Sequence, residues 1–447
     1  MNIYMSELLD KWRKKMKSVA IIGGGYTGLS CAKKLVDNGF DVTIYEKKNE
    51  LGGMACCIDF QGTKIEKHYR HIFRSDEYAV NLIEELGLSD KLRWNETAMA
   101  YYSKSGLYKF GTPISLMKYK PLTLPEKIRF GNSIVKLKLI NDYKKVENIT
   151  AEEWIKDQCG ESVYKKIWEP LLLTKFGNEK DKVSMAWLWG KIKLRGSSST
   201  SRGEKLGYLD GSFDILTQKL TEYLKSKKCK FNLNTSVEGV VKRDNQFDVI
   251  TDGNKSEYDF VVSTVSYDVA KKIFEKELTE KEFGKMNAEK YTCARTMLIC
   301  SKKQFTPYYW INIGDTDIPF GGIIEHTNMI EKGKYNGNHI IYISNYMNKD
   351  DKLYKMNKDE LLDIYLKHMK KINSDIDKED IISVSCYEED DAQPIICTNY
   401  SENLLNIELE SSGIFMGNMA QIYPEDRGMN YAIRMGYDIA KRISDLA

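Results

Sequence analysis

Residues 18–54 constrain this chain more than any other stretch. Val19, Ala20, Ile21 and Ile22 form a short apolar run suited to a buried parallel strand. Gly23, Gly25 and Gly28 follow with G-x-G-x-x-G spacing at the opening of a predicted helix. In that setting the three glycines serve a tight turn, close approach of backbone to a pyrophosphate, and close packing of helix on strand. The helix start at Tyr26 and Thr27 offers free N–H groups to the phosphate. Leu29, Ala32 and Leu35 lie on the helix, Gly39 ends it, and residues 41–45 return as a second strand. Glu46, with Lys47 beside it, lies 18 residues after Gly28. A carboxylate at that place accepts hydrogen bonds from both ribose hydroxyls. The alternative is a glycine-rich turn in an ordinary β-α-β unit, which leaves Glu46 unexplained. The stretch predicts a dinucleotide site.

A length of 447 residues suits two or three domains. Basic and acidic residues nearly balance, 67 against 64, so nothing points to nucleic acid. No apolar run reaches the roughly 18 residues of a membrane span, and there is no signal-peptide core. The nine cysteines are scattered without a C-x-x-C pair, which predicts reduced thiols in a cytoplasmic protein. Residues 1–17 read as an N-terminal helical extension. Met5, Leu8, Leu9, Trp12 and Met16 form an apolar stripe among Lys11, Arg13, Lys14, Lys15 and Lys17. Packing on the protein or a partner subunit is one use of such a helix, and peripheral membrane contact is the other. Oligomeric state stays open.

Leu51-Gly52-Gly53-Met54 closes a Glu-x-x-x-x-Leu-Gly-Gly pattern that starts at Glu46. This resembles flavoproteins of the glutathione-reductase type, in the amine oxidase, protoporphyrinogen oxidase and phytoene desaturase branch. The resemblance implies FAD, with Gly53 and Met54 against it. It also implies an α/β fold: a doubly wound FAD-binding Rossmann domain with an inserted mixed-sheet and helical substrate domain. We expect the cofactor domain in residues 18–97, 204–285 and 380–447, and the substrate domain in 98–203 and 286–379. No second G-x-G-x-x-G follows a strand, so no dedicated nicotinamide domain is expected.

Residues 65–73 hold two of the five histidines. His68 and His71 at i, i+3 have a spacing that metal ligands use. No cysteine or third histidine lies nearby, and no metal is expected. The Lys67-x-x-x-His71-Ile72-Phe73 string resembles a segment of UDP-galactopyranose mutases. It implies His71 beside the flavin ring, and Arg70 and His68 near substrate; a surface loop is the alternative.

Residues 115–183 read as mostly helical. Lys118, Lys127, Lys136 and Lys138 are among the basic residues interleaved there with apolar ones, as a rim for a phosphate-bearing or lipid-linked substrate or as a solvated helix face. By resemblance, Val237 contacts the adenine through its backbone, and Thr264 ends a strand beside FAD. Glu325-His326 is the sharpest polar pair outside the cofactor region. It suits acid–base work, although alternation lets only one of the two face the flavin. The other reading is a strand-end turn in which Thr327 and Asn328 bond the backbone. Tyr342 and Tyr346 are candidates to line the same cavity. Residues 381–393 read as the strand leading back, with Tyr387, Gln393 and Pro394 resembling the tail of the substrate sheet. Gly417 ends a further strand. Asp426, Gly428, Met429 and Asn430 precede or open a helix over 431–443 whose N-terminus would point at the flavin pyrimidine. Asn418, also assigned to the cofactor site, stands where the mutases carry arginine.

The resemblance implies hydride transfer between flavin N5 and a C–N or C–C bond of a small-molecule, lipid-linked or sugar-linked substrate. Arg70, His71, Glu325 and His326 are the candidate catalytic residues, and catalysis would be mostly positioning. One alternative is a redox-neutral sugar-nucleotide mutase using reduced FAD, with Arg70 and Arg427 holding a diphosphate; Asn418 argues against it. A flavin-binding protein without turnover is a third reading.

Overall fold

Val19 and Ile21 face one side of the first strand, and Ala20 and Ile22 the other; all four are buried. That requires cover on both faces, which the computed structural model supplies. It describes residues 16–196, 198–200 and 203–447. Ser18–Ile22 is the centre of a five-stranded parallel sheet. Asp41–Tyr45 and then Lys230–Asn232 lie on one side, and Phe260–Ser263 and then Ile414–Met416 on the other. Val19 and Ile21 pack with Leu29 and Leu35 of the helix Tyr26–Asp37 and with Ile433 and Ile439 of the helix Met429–Leu446. Ala20 and Ile22 pack with Val240, Phe247 and Val249 of an antiparallel three-stranded meander. The two helices cross closely at Gly436, where a Cβ would lie 2.4 Å from the Thr27 carbonyl oxygen.

The second layer is a seven-stranded sheet. Its order is Ile381–Pro394, Tyr291–Ser301, His339–Met347, Gly322–Glu325, Trp310–Ile313, Met99–Ser103 and Gly106–Phe110. All its pairs are antiparallel except Trp310–Ile313 with Met99–Ser103. The helix Lys358–Ile372 covers one face through Leu361, Leu362, Tyr365 and Met369. The other face turns Tyr309, Ile324 and Tyr342 into the core that holds Val19 and Ile21 of the parallel sheet. The helices from Pro113–Lys118 to Met185–Gly196 form a separate apolar core with Trp154, Ile167, Phe176 and Trp187. A ladder of Leu92–Thr97 with Glu204–Leu209 ties the entry of this insert to its exit.

One expected boundary moves. Ile381–Pro394 pairs along its length with Tyr291–Ser301, so it belongs to the second sheet and not to a cofactor segment starting at 380. The chain regains the parallel sheet at Ile414–Met416. The N-terminal helix reading falls almost wholly on residues 1–15, outside the described residues. All nine cysteines are unpaired.

Candidate active site

The first βα turn is built by close approach. Gly23 adopts φ +112°, and a Cβ on it would lie 2.3 Å from Thr264 Oγ1. Thr264 donates its hydroxyl to the Ile22 and Gly23 carbonyls at 3.1 and 3.2 Å, so it buttresses the turn from beneath. A Cβ on Gly28 would lie 2.1 Å from the Gly23 oxygen. Gly52–Gly53 lies directly on the turn: Gly52 N donates to Gly24 O at 2.8 Å, and a Cβ on Gly53 would sit 3.1 Å from Gly25 Cα. Gly25 caps the helix without a side chain, leaving the N–H groups of the first turn to a ligand. Tyr26 takes part through backbone alone, since its hydroxyl is buried against Thr217 Oγ1 at 2.9 Å.

Glu46 ends the second strand and accepts from Gly24 N at 2.8 Å and Lys48 N at 2.9 Å. Lys47 is exposed. The segment carrying buried Val237 runs alongside, with Thr235 N donating to Glu46 O at 2.9 Å.

A cleft of about 160 Å3 lies between the two sheets and the helical insert. One wall is Tyr69, Arg70, His71, Ile72 and Phe73. The second sheet contributes Trp310 and Tyr346, the insert contributes Lys175, Lys191 and Arg195, and residues 426–431 close the floor. Gly428 precedes the C-terminal helix, and a Cβ there would meet nothing within 4 Å. The helix therefore opens into the cleft with uncapped N–H groups at Met429 and Asn430.

The aromatic residues are ordered around His71. Its Nδ1 lies 3.0 Å from the Tyr309 hydroxyl, and its ring meets Phe73 and Trp310 edge-on. Burial, helped by Arg195 and Arg70, lowers its pKa to about 3, so it is neutral near pH 7. His68 is also lowered to about 3, by burial and then by Arg70 and Arg427. Its Nδ1 pairs with Thr296 Oγ1 at 2.8 Å, so the two histidines turn to different partners.

Several expected side chains are engaged elsewhere. The Asn430 amide oxygen accepts from Ala79 N at 3.1 Å, and the Asn418 amide oxygen from Ala420 N at 2.9 Å. The Asn418 amide nitrogen donates to the Val265 carbonyl at 3.3 Å, so that side chain is taken at both ends, whereas Asn430 lines the cleft. Gly417 sits where a Cβ would strike Ile439 at 2.4 Å, so it allows sheet and helix to close. Asp426 turns toward the insert: Lys191 Nζ lies at 2.7 Å, Trp187 Nε1 at 3.2 Å and Lys175 Nζ at 3.7 Å. Burial raises the Asp426 pKa, but Lys175, Lys191 and Arg427 outweigh it and hold the carboxyl well below its usual range.

Glu325 and His326 do not line the cleft. Glu325 ends its strand buried, accepting from Phe305 N at 3.0 Å and Thr306 N at 2.7 Å. His326 opens a 3-10 turn, with Nε2 2.8 Å from the Tyr335 hydroxyl and its ring against Tyr208 and Tyr342. Thr327 accepts from Ile340 N at 3.2 Å, and Asn328 donates to the Thr306 and Tyr308 carbonyls, as in the strand-end turn reading. Tyr342 is buried with its hydroxyl on the Glu66 carbonyl at 2.7 Å, whereas Tyr346 does line the cleft.

Lys175, Lys191 and Arg195 were not among the expected site residues. The signal for Lys191 and Arg195 was the stripe Trp187, Lys191, Arg195 at i, i+4, i+8, one face of the helix Met185–Gly196; Lys175, on the helix Glu169–Phe176, had no such signal.

The residues present fit FAD. They provide a glycine bed at a helix start, a carboxylate at the second strand's end, and a second helix N-terminus at the cleft. The Nε atoms of Arg70 and Arg427 are buried there without a hydrogen-bond partner.

The family model for flavin containing amine oxidoreductases matches residues 26–394. The 15-cis-phytoene desaturase of Glycine max is 26% identical over 281 residues, 58% of this chain and 49% of that protein. The chain thus spans about half the length of the curated relatives it matches. Among solved structures, a variant of putrescine oxidase aligns with a TM-score of 0.76 at 15% identity, covering 97% of this chain and 99% of that one. Reduced UDP-galactopyranose mutase aligns with a TM-score of 0.74 at 16% identity, covering 97% and 96%. These two likenesses are of fold.

Proposed function

The chain belongs to the flavin containing amine oxidoreductase family, and on that premise we propose that it is an FAD-dependent oxidoreductase whose reaction takes place in the cleft between Tyr69–Phe73, Trp310 and residues 426–431. Gly23, Gly25, Gly28, Gly53 and Glu46 hold the cofactor's dinucleotide portion, with backbone contacts from Thr27, Met54, Val237, Gly417, Met429 and Asn430. Bound FAD supplies the acceptor or donor of a hydride. The chain does the rest by position and field. The N-terminus of Met429–Leu446 favours negative charge at the cleft floor. Tyr69, Phe73 and Trp310 exclude water from the reacting face. His71, neutral and tied to Tyr309, orients that wall and is not an imidazolium acid near pH 7.

The observation that carries this reading is the meeting of the C-terminal helix N-terminus with the Tyr69–Phe73 wall at one cleft, where Arg70 of that wall donates to the carbonyl of Met54, the neighbour of Gly53 in the glycine bed. The test is the visible spectrum of the purified protein, followed by anaerobic screening for substrate-driven bleaching. No flavin band, and none after reconstitution with FAD, would sink the proposal.

A redox-neutral mutase is the second reading. It is favoured by Arg70 and Arg427 facing one cleft with unpartnered Nε atoms. Isomerisation of UDP-hexoses by dithionite-reduced protein, without net redox change, would select it.

Peripheral contact with an anionic bilayer belongs to the same proposal. No helix among the described residues is long and apolar enough to cross a membrane. However, Leu124, Ile128, Val135 and Leu139 form one exposed apolar stripe on the helix Leu124–Leu139, continued by Ile114 and Met117 on Pro113–Lys118. Lys127 and Lys138 flank one side of the stripe and Arg129 and Lys136 the other. This is the pattern of a helix lying at a charged lipid surface.

A further inference from the structure

The cleft is crowded with positive charge. Five cations line it, Arg70, Lys175, Lys191, Arg195 and Arg427, against two carboxylates, Asp76 and Asp426. Asp76 is turned to its own loop and accepts from Phe73 N at 2.9 Å. Asp426 is shared: Lys191 and Lys175 both approach its Oδ2, at 2.7 and 3.7 Å. Arg427 follows it in the chain, lies over the Tyr346 ring at 5.8 Å and donates to its hydroxyl at 2.9 Å. The nearest carboxylate to Arg195 is Glu204, at 3.7 Å.

One carboxylate among Lys175, Lys191 and Arg427 leaves the trio undercompensated. Like charges in a partly buried site raise one another's energy. Burial and the neighbouring Lys191 and Arg427 lower the Lys175 pKa well below its usual range despite Asp426. An incoming anion relieves that repulsion, and an ammonium group adds to it. The Arg427 guanidinium also has an unpartnered Nε for a charge-assisted hydrogen bond.

We propose that the substrate of this site carries an anionic group, a carboxylate or a phosphate, seated on Lys175, Lys191 and Arg427, and that the site rejects free amines. This rests on the cleft being the active site. It separates the chain's chemistry from the amine substrates that the family's name announces. A second cleft shares Tyr346 with the first; Asp315 and Asp351 are its charged lining residues, and no lysine or arginine lines it among the described residues. The cationic lining therefore belongs to the first cleft, which is where an anionic group would be selected.

The test is titration calorimetry on the FAD-loaded protein with pyrophosphate, succinate and 1,4-diaminobutane, at low and at high salt. At least one of the two anions binds, more weakly in high salt, and the diamine does not. The tighter anion tells phosphate from carboxylate. Arg427→Gln and Lys191→Met each weaken that anion about tenfold or more, and Arg427→Lys restores part of the loss. Lys334→Gln, on a surface pair with Asp210, leaves binding unchanged. Flavin content and melting temperature establish that each variant is folded. Binding of the diamine in place of the anions overturns the proposal, as does anion affinity unaltered in both variants. Anion binding by protein that takes up no FAD would sink the oxidoreductase reading and leave this one standing; FAD uptake without anion binding would do the reverse.

Discussion

Asp426→Asn tests the charge balance of the cleft directly. The substitution keeps the shape and removes the one carboxylate that Lys191 and Lys175 share. At an effective dielectric of about 20, a 2.7 Å pair has a gross attraction of roughly 6 kcal/mol. Desolvation offsets much of it, and removing one partner of a buried pair costs about 3–5 kcal/mol. Here the Asp426 and Lys191 side chains keep 15% and 27% of their exposure, so the low end applies, about 3 kcal/mol. With an unfolding entropy of about 2.1 cal/mol/K per residue, a cooperative unit of this length melts about 3 °C lower. Because the Asp426 pKa is depressed, its contribution is fully present above the unfolded-state value and is lost only in strong acid; at pH 7 it is fully expressed. The assay is scanning calorimetry at pH 7 on wild type, Asp426→Asn, Lys191→Met and the double variant, with and without pyrophosphate. We expect the double variant to lose less than the sum of the singles. Pyrophosphate should raise the melting temperature of Asp426→Asn more than that of wild type, since an anion can take the place of the missing carboxylate. An unchanged melting temperature with additive singles would refute the reasoning, because Asp426 would then not be compensating the lysines.

Three further outcomes are expected. Gly28→Ala places a Cβ 2.1 Å from the Gly23 carbonyl; the strain of about 1–3 kcal/mol falls on the phosphate-binding turn, and the ratio of flavin to protein absorbance should drop sharply. Burial raises the Glu325 pKa from 4.5 to about 7 against the N–H groups of Thr306 and Phe305. The folded state then holds more protons than the unfolded state in that window, so this group's contribution to stability falls as pH rises through it. Urea denaturation at several pH values should show a flatter profile for Glu325→Gln. Ile128→Glu with Val135→Glu, both at exposed positions, should leave melting and flavin content intact and abolish co-sedimentation with anionic vesicles; retained co-sedimentation would rule out this stripe as the contact.

Glu325-His326 and the lysines of the insert show opposite failures of one-dimensional reading. The pair was conspicuous because an acid beside a histidine has chemical potential. Its burial at the end of a strand of the second sheet depends on Phe305 and Tyr208, which lie outside its own strand and turn. Lys175 and Lys191 were inconspicuous among the chain's many lysines, and became a site only because two insert helices bring them to Asp426. The strand Ile381–Pro394 was assigned to the wrong segment for a related reason: its apolar pattern suits either sheet, and only its register with Tyr291–Ser301 decides between them.

The sequence by itself determined the glycine-rich turn that we propose as the cofactor bed. Gly23, Gly25, Gly28, Glu46 and Gly53 lie within 31 consecutive residues, where strand, turn and helix periodicities specify geometry locally. It also placed Tyr69 and Phe73 beside His71 through one short string, whereas Tyr309 and Trp310 reach that histidine only by tertiary packing. Tertiary structure alone decided which charges meet in the cleft. Arg70, Lys175, Lys191 and Arg427 come from separate segments, and local pattern says that a charge sits on an element, not which other charges that element will face.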